Sequence, residues 1–166
     1  MSCPSFVFNF KVPTIPASTP NGTYHLVAQL TDPSGITSDA TSTSTIIVAP
    51  AQNDLSGTFS KQPVPGKNGK TALTFTVSQE GNIPAEGTLA LNVDSSPDGQ
   101  LADATVITTP SKKINIKPGK STRITVTITL PAGTYFVIVQ LDPADAFHDV
   151  NLANNTFATS ARLTVT

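Results

Sequence analysis

The chain has 166 residues, of which 13% are charged, and its formal net charge is −1. This balance excludes the basic footprint of a nucleic-acid-binding protein and the polybasic patch of a membrane-surface protein. No apolar run approaches the roughly 20 residues of a membrane-spanning helix, and a single cysteine, Cys3, leaves no intramolecular disulfide to stabilise the fold.

The first 49 residues are predicted to form three strands. Apolar residues alternate in the segment FVFNFKV, a second strand begins with GTYHLVAQL, and a third follows a polar loop and contains TIIV. Three strands do not make a sandwich, because their apolar face would stay exposed. We therefore interpret residues 1–49 as the C-terminal half of a preceding module.

A complete domain is predicted after a short Pro-containing linker at residues 50–53. Residues 54–166 alternate apolar and polar side chains in short runs that are separated by Pro, Gly, Asn and Asp, as in an all-β protein. The predicted strands are residues 54–59, 73–77, 89–93, 106–107, 114–116, 123–130, 135–141 and 157–165.

Two of these strands decide the fold class. Residues 123–130 alternate strictly, and the strand that follows the Pro-Ala-Gly turn starts at Tyr135, two residues before the core position Val137. This is the arrangement of a tyrosine corner, in which the hydroxyl group bonds to upstream backbone. The pattern predicts an immunoglobulin-like antiparallel β-sandwich.

The corner occurs twice. GTY at residues 22–24, followed by HLVAQLTDP, aligns with GTY at residues 133–135, followed by FVIVQLDP. The phenylalanine-rich strand likewise aligns with residues 124–130, each running into a proline, Pro13 or Pro131. Self-similarity of this kind indicates a tandem arrangement with an incomplete first module. The strands that would cover the apolar face of the first module were either left out of this sequence or are supplied by another chain.

Several segments in this order resemble a known family. They are Asp54-Leu55, TFTVSQEGNIPAEG, SSPDGQLADA, INIKPGKSTRITVTITLPAGTYFVIVQLD and the pair Asn154-Asn155. Together they resemble the CARDB domain, the cell-adhesion-related domain of bacteria, over residues 54–166. The resemblance implies an immunoglobulin-like module, repeated in large secreted or surface proteins and without chemistry of its own.

One loop offers oxygen ligands for a metal ion. Ca²⁺ binds six to eight oxygen atoms, and one ten-residue loop holds Asp142, Asp145, Asp149 and Asn151. The alternative is that these residues make Asx-type turns that reverse the chain. Neither histidine has a nucleophile and an orienting group beside it, so the sequence predicts no enzyme and no other cofactor.

A contact with a protein partner is suggested by Phe136 and Ile138. Both are predicted to point to the outer face of their strand, which would make that face more apolar than a solvent-exposed one. The alternative is coverage by a loop of the same domain. Carbohydrate platforms rely on exposed Trp and Tyr, and this chain has no Trp and two tyrosines, both assigned to corners.

The resemblance thus implies a non-catalytic structural or adhesion module of a repeat-containing extracellular or cell-surface protein. Two alternatives remain open: a self-assembling subunit whose first module is completed by a neighbouring chain, and an accessory module of a secreted hydrolase. We expect a protein partner or neighbouring module, with no nucleic acid and no membrane insertion. The residues with a predicted structural role are Tyr24, Tyr135, Asn154 and Asn155.

Overall fold

Strands dominate the computed structural model, which describes residues 14–16 and 18–166. Within these residues the only helical segments are two 3₁₀ turns, Lys67–Gly69 and Leu152–Asn154. None of the described helices is long and apolar enough to cross a membrane. The chain divides into two compact units, residues 1–50 and 51–166.

The first unit contains an antiparallel pair of strands, β1 (Gly22–Thr31) and β2 (Thr37–Val48). The turn between them is closed by Asp32, whose Oδ1 accepts hydrogen bonds from the N–H groups of Ser34 and Ile36 at 2.8 and 2.9 Å. These bonds lower the pKa of Asp32 below its ordinary value, and the bond from Ile36 has the largest effect. The predicted strand FVFNFKV lies outside the described residues.

The Ser- and Thr-rich stretch before Ile46 was predicted as a loop, and this prediction was wrong. It forms most of β2, which begins at Thr37. Threonine favours extended backbone because its branched Cβ suits the pleated surface. The pattern gave no signal because it contains no alternation of apolar residues.

The second unit consists of two antiparallel sheets packed face to face. One sheet has the order β3-β4-β8, and the other has the order β10-β9-β5-β6, with β7 also paired to β5 and β11 to β9. The predicted immunoglobulin-like β-sandwich is confirmed. The strands are β3 (Leu55–Phe59), β4 (Lys70–Gln79), β5 (Ala85–Ser96), β6 (Thr105–Thr108), β7 (Ser111–Ile116), β8 (Lys120–Thr129), β9 (Gly133–Leu141), β10 (Thr156–Ala158) and β11 (Leu163–Val165).

The core lies between the inward rows of these two sheets. Phe75 on β4 and Val137 on β9 have no exposed surface, and Phe59, Phe75 and Phe157 form an aromatic group with ring centroids 5.2–6.3 Å apart. Gly57 leaves room for the ring of Phe157, since a Cβ at this position would overlap it. Burial of these rows supplies the main stabilisation of a unit that has no cysteine.

Candidate functional site

The tyrosine corner is present in both units. The Tyr135 hydroxyl donates to the Pro131 carbonyl oxygen at 2.6 Å, and the Tyr24 hydroxyl donates to the Pro20 carbonyl oxygen at 2.8 Å. Tyr135 is 9% exposed and Tyr24 is 36% exposed. Burial raises the pKa of Tyr135 above its ordinary value of 10.0.

The strand register around the two corners is also the same. Gly133 faces Val165 and Tyr135 faces Leu163 between β9 and β11. Gly22 faces Val48 and Tyr24 faces Ile46 between β1 and β2. The two GTY segments therefore have the same strand pairing at their corners. Pro13, which the sequence alignment pairs with Pro131, lies outside the described residues.

The loop after β9 is built from turns that its own carboxylates close. Asp142 Oδ2 accepts from the Phe147 N–H at 2.8 Å, Asp145 Oδ1 from the Asp149 N–H at 2.7 Å and Asp149 Oδ1 from the Asn151 N–H at 2.8 Å. Asp142 and Asp145 have positive φ angles of 46° and 52°, which Asp tolerates better than most residues. These bonds are those expected of the turn interpretation.

Asp149 also holds the start of the second unit. Its Oδ2 accepts from the N–H of Leu55 at 2.6 Å, and it is 8% exposed. The Val150 N–H donates to the Asn53 carbonyl oxygen at 3.0 Å, beside a parallel bridge between Asn53 and Asp149. The loop therefore connects two segments that lie 94 residues apart in the chain.

Gln79 has a structural role that the sequence reasoning missed. This side chain has no exposed surface. Its Nε2 donates to Asn53 Oδ1 at 2.7 Å and to the Ile83 carbonyl oxygen at 2.8 Å, and its Oε1 accepts from the N–H groups of Asp54 and Gly81 at 2.9 and 3.0 Å. A signal was present, because Gln79 continues the inward alternation of Leu73, Phe75 and Val77.

The last two residues of the predicted linker bond to the second unit. The Gln52 N–H donates to Asn82 Oδ1 at 2.7 Å, and the Asn82 N–H donates to the Gln52 carbonyl oxygen at 3.0 Å. Asn53 is held by Gln79 and also donates from Nδ2 to the Phe147 carbonyl oxygen at 2.8 Å. We call residues 52–55 together with Gln79, Asn82 and Asp149 the entry clamp.

The predicted contact surface on β9 has to be corrected at Ile138. This residue is 1% exposed, so it is not accessible to a partner. β9 lies between β5 and β10, and the loop after β5 folds back over the adjacent Phe136, where a Cβ on Gly99 would lie 3.5 Å from the ring. Phe136 is half-buried, with the Arg162 guanidinium 5.7 Å from its ring centroid. Gly99 of the loop after β5 therefore lies against the ring of Phe136.

That loop is closed by Asp98. Its Oδ1 accepts from the Gln100 N–H at 2.8 Å and from the Ser96 hydroxyl at 2.9 Å. These bonds lower the pKa of Asp98 below its ordinary value, and the bond from Gln100 has the largest effect.

No protein-family model matches the sequence, and no curated protein matches it. The CARDB domain of the PF1109 protein from Pyrococcus furiosus, solved in complex with di-metal ions, superposes with a TM-score of 0.52 at 17% identity, over 71% of this chain and 97% of that domain. The chain has a CARDB-like fold.

Two further solved structures are similar. A domain of a protein named as a cell surface protein, from Methanosarcina acetivorans, has a TM-score of 0.49 and 23% identity over 69% of this chain and 93% of that one. β-Glucosidase 3B from Thermotoga neapolitana has a TM-score of 0.38 and 12% identity, over 70% of this chain and 17% of that enzyme.

The CARDB-like fold brings the two ends of the resembling region together. Asn154 Nδ2 donates to Asp54 Oδ1 at 2.8 Å, and the Asn155 carbonyl oxygen accepts from the Leu141 N–H at 2.8 Å. Both asparagines therefore fix the loop after β9 to its surroundings. Asp142 Oδ1, Asn154 Oδ1 and both amide atoms of Asn155 are buried, and none of them has a hydrogen-bond partner among the described residues.

Among the four predicted calcium ligands, four carboxylate oxygens accept backbone hydrogen bonds. Asp145 Oδ1, Asp142 Oδ2 and both carboxylate oxygens of Asp149 accept backbone hydrogen bonds, and Asn151 is exposed. In residues 14–16 and 18–166, no three His, Cys, Asp or Glu side chains are grouped closely enough to hold a metal ion. What this arrangement does is hold a loop in shape.

Proposed function

We propose that the chain is a non-catalytic module of an extracellular or cell-surface protein built from repeated immunoglobulin-like units, in which it acts as a spacer or adhesion scaffold. The observation that carries the proposal is the repeated corner. Tyr24 and Tyr135 make the same bond to a proline four residues upstream, in strands of the same register.

The polar residues of the second unit support a scaffold. Gln79, Asp149 and Asp145, the side chains most suggestive of chemistry by burial or charge, all bind backbone groups. Buried polar groups that are fully bonded make a fold rigid and specific. The entry clamp adds stiffness at the N-terminal end of the unit, where an array would transmit force.

Mechanical unfolding tests this proposal. The full chain is attached by its two ends and stretched at constant speed. We expect the second unit to unfold in one cooperative event, at a force that falls in Asp149→Ala, which opens the entry clamp. Gradual extension without such an event, or an equal force in the variant, would argue against a load-bearing spacer.

A second candidate function is self-assembly through the first unit, and a comparison of equivalent residues favours it. Leu26, Val27 and Leu30 on β1 are 39%, 62% and 59% exposed. Their equivalents on β9 are Val137, Ile138 and Leu141, with exposures of 0%, 1% and 1%. β9 is paired with β5 along its second edge, whereas β1 pairs only with β2 among the described residues.

Sedimentation of the full chain separates the two functions. A spacer is expected to remain monomeric over a wide range of concentration. Self-assembly would appear as association that rises with concentration and is lost in Val27→Thr with Leu30→Thr. The matched control is Val64→Thr with Val106→Thr, which removes exposed apolar side chains from the second unit.

A further inference from the structure

The formal charge of −1 conceals a strong separation of charge. Half of the ten basic residues lie between residues 112 and 123, and residues 104–141 contain no Asp or Glu. The rest of the chain has five basic and 11 acidic side chains. All five clustered cations are exposed; they are Lys112, Lys113, Lys117, Lys120 and Arg123.

Four of these cations lie on two neighbouring strands that belong to different sheets, and Lys117 lies in the connection between these strands. β7 pairs only with β5, and β8 pairs only with β4, in the described part of the chain. Each strand therefore has one edge without a strand partner. In an antiparallel ladder, such an edge presents main-chain N–H and C=O groups that can pair with another chain.

A groove of about 260 Å³ lies between the two edges. Its floor includes Ile114 and Ile124, which are 9% and 6% exposed, and its rim carries Lys112, Lys113 and Arg123. No carboxylate lines this groove. Glu86 lines an adjoining depression of about 250 Å³ that shares Lys113 and Ile114 with the groove.

Lysines on an edge strand usually prevent association between copies of the same chain, because a second copy would bring its own lysines. The same charges favour a partner of opposite sign, because they attract an acidic chain and repel a second copy of this one. Unpaired main-chain groups require an extended peptide rather than a sugar or a lipid headgroup. Charge and edge geometry therefore point to one kind of partner.

We propose that the groove between β7 and β8 binds an extended acidic segment of a partner protein, which adds as a strand to the free edge of β8. Its apolar side chains would lie over Ile114 and Ile124, and its carboxylates would face Lys113 and Arg123. This mode combines main-chain hydrogen bonds for affinity with side chains for selectivity. It does not depend on the spacer proposal.

A labelled peptide of alternating Glu and Val, long enough to span β8, tests the proposal with the full chain by fluorescence anisotropy. We expect binding that weakens with added salt and that falls by about tenfold or more in Lys113→Glu with Arg123→Glu. The control, Lys61→Glu with Lys67→Glu, makes the same change in net charge at exposed positions outside the groove and is expected to bind as the parent does.

Two further probes separate strand addition from simple attraction. The same peptide with alternate backbone amides methylated keeps its charge but cannot pair, and we expect it not to bind. Equal binding of the methylated peptide, or an equal loss in both double variants, would overturn the proposal. So would groove-dependent binding of polygalacturonate without binding of the peptide. Lys113→Gln with Arg123→Gln repeats the test if charge reversal disturbs folding.

Discussion

Tyr24 and Tyr135 donate their hydroxyl hydrogen bonds to the carbonyl oxygens of Pro20 and Pro131, each four residues upstream. The bond lengths of 2.8 and 2.6 Å are similar, but the surroundings differ, since Tyr24 is 36% exposed and Tyr135 is 9% exposed. The pair therefore allows the same interaction to be compared in water and in a core.

We expect Tyr135→Phe to lower the free energy of unfolding by about 1 kcal/mol, the net contribution of one hydrogen bond. Tyr24→Phe should cost less, because water can satisfy the Pro20 carbonyl oxygen at the exposed corner. Urea unfolding of the parent and the two variants measures both effects. Equal losses in the two variants would show that burial does not strengthen the corner.

The raised pKa of Tyr135 predicts a loss of stability in alkali. Above pH 10 the unfolded chain releases the phenolic proton while the folded unit retains it, so the free energy of unfolding falls as pH rises from about 10 toward the folded pKa. Chemical denaturation from pH 8 to pH 11 measures the slope of the unfolding free energy against pH. We expect a less steep slope for Tyr135→Phe than for the parent, and the difference between the two excludes the contribution of lysine titration. Identical slopes would contradict the expectation.

Removing the carboxylate of Asp149 should open the entry clamp. Asp149→Ala leaves the Leu55 N–H without its acceptor in a buried position, and we expect a loss of about 1–3 kcal/mol in the free energy of unfolding. Asp103→Ala removes an exposed carboxylate and should change stability by less than about 0.5 kcal/mol. A loss no larger than that of the control would mean that other groups hold Leu55.

Ile138→Thr and Phe136→Thr distinguish a packed face from an interface. Because Ile138 is 1% exposed, we expect its replacement to lower stability by roughly 2 kcal/mol through lost burial and an added hydroxyl. Phe136→Thr should cost less. Neither change should alter the elution volume in size-exclusion chromatography, and a shift toward smaller species would restore the interface interpretation.

Calcium should not change the melting temperature. A ligand that binds only the folded state raises stability with its concentration, but four carboxylate oxygens of the loop after β9 already accept backbone hydrogen bonds. Scans with added calcium and with chelator should therefore coincide. An increase that grows with calcium and disappears in Asp142→Asn would instead place a cation at the unpartnered oxygen of Asp142.

The sequence was sufficient to predict the sandwich because its signals are local. β8 alternates strictly from Arg123 to Thr129, and the GTY segment marks the start of β9, so neither strand depends on distant residues for its assignment. The strand β2 was missed, since Ser and Thr show a β preference without an apolar period. The predicted last strand, residues 157–165, is divided into β10 and β11.

The connections of the loop after β9 could not be predicted from local patterns. The bond between Leu55 and Asp149 spans 94 residues, and no spacing rule joins them. Gln79 could have been identified, because it occupies an inward position where an apolar residue is expected. The cluster of cations on β7 and β8 was visible as lysines on edge strands, but the nearly neutral total concealed the charge separation.

The entry clamp has a practical consequence for anyone who wants to move the second unit into another protein. Gln52 and Asn53 precede β3 and yet are hydrogen-bonded to Asn82 and Gln79, so a gene cassette cut at Asp54 would leave those partners unsatisfied. A cassette that starts at Ala51 keeps the acceptors and donors together. The segment to be transferred therefore begins inside the linker that the composition predicts at residues 50–53.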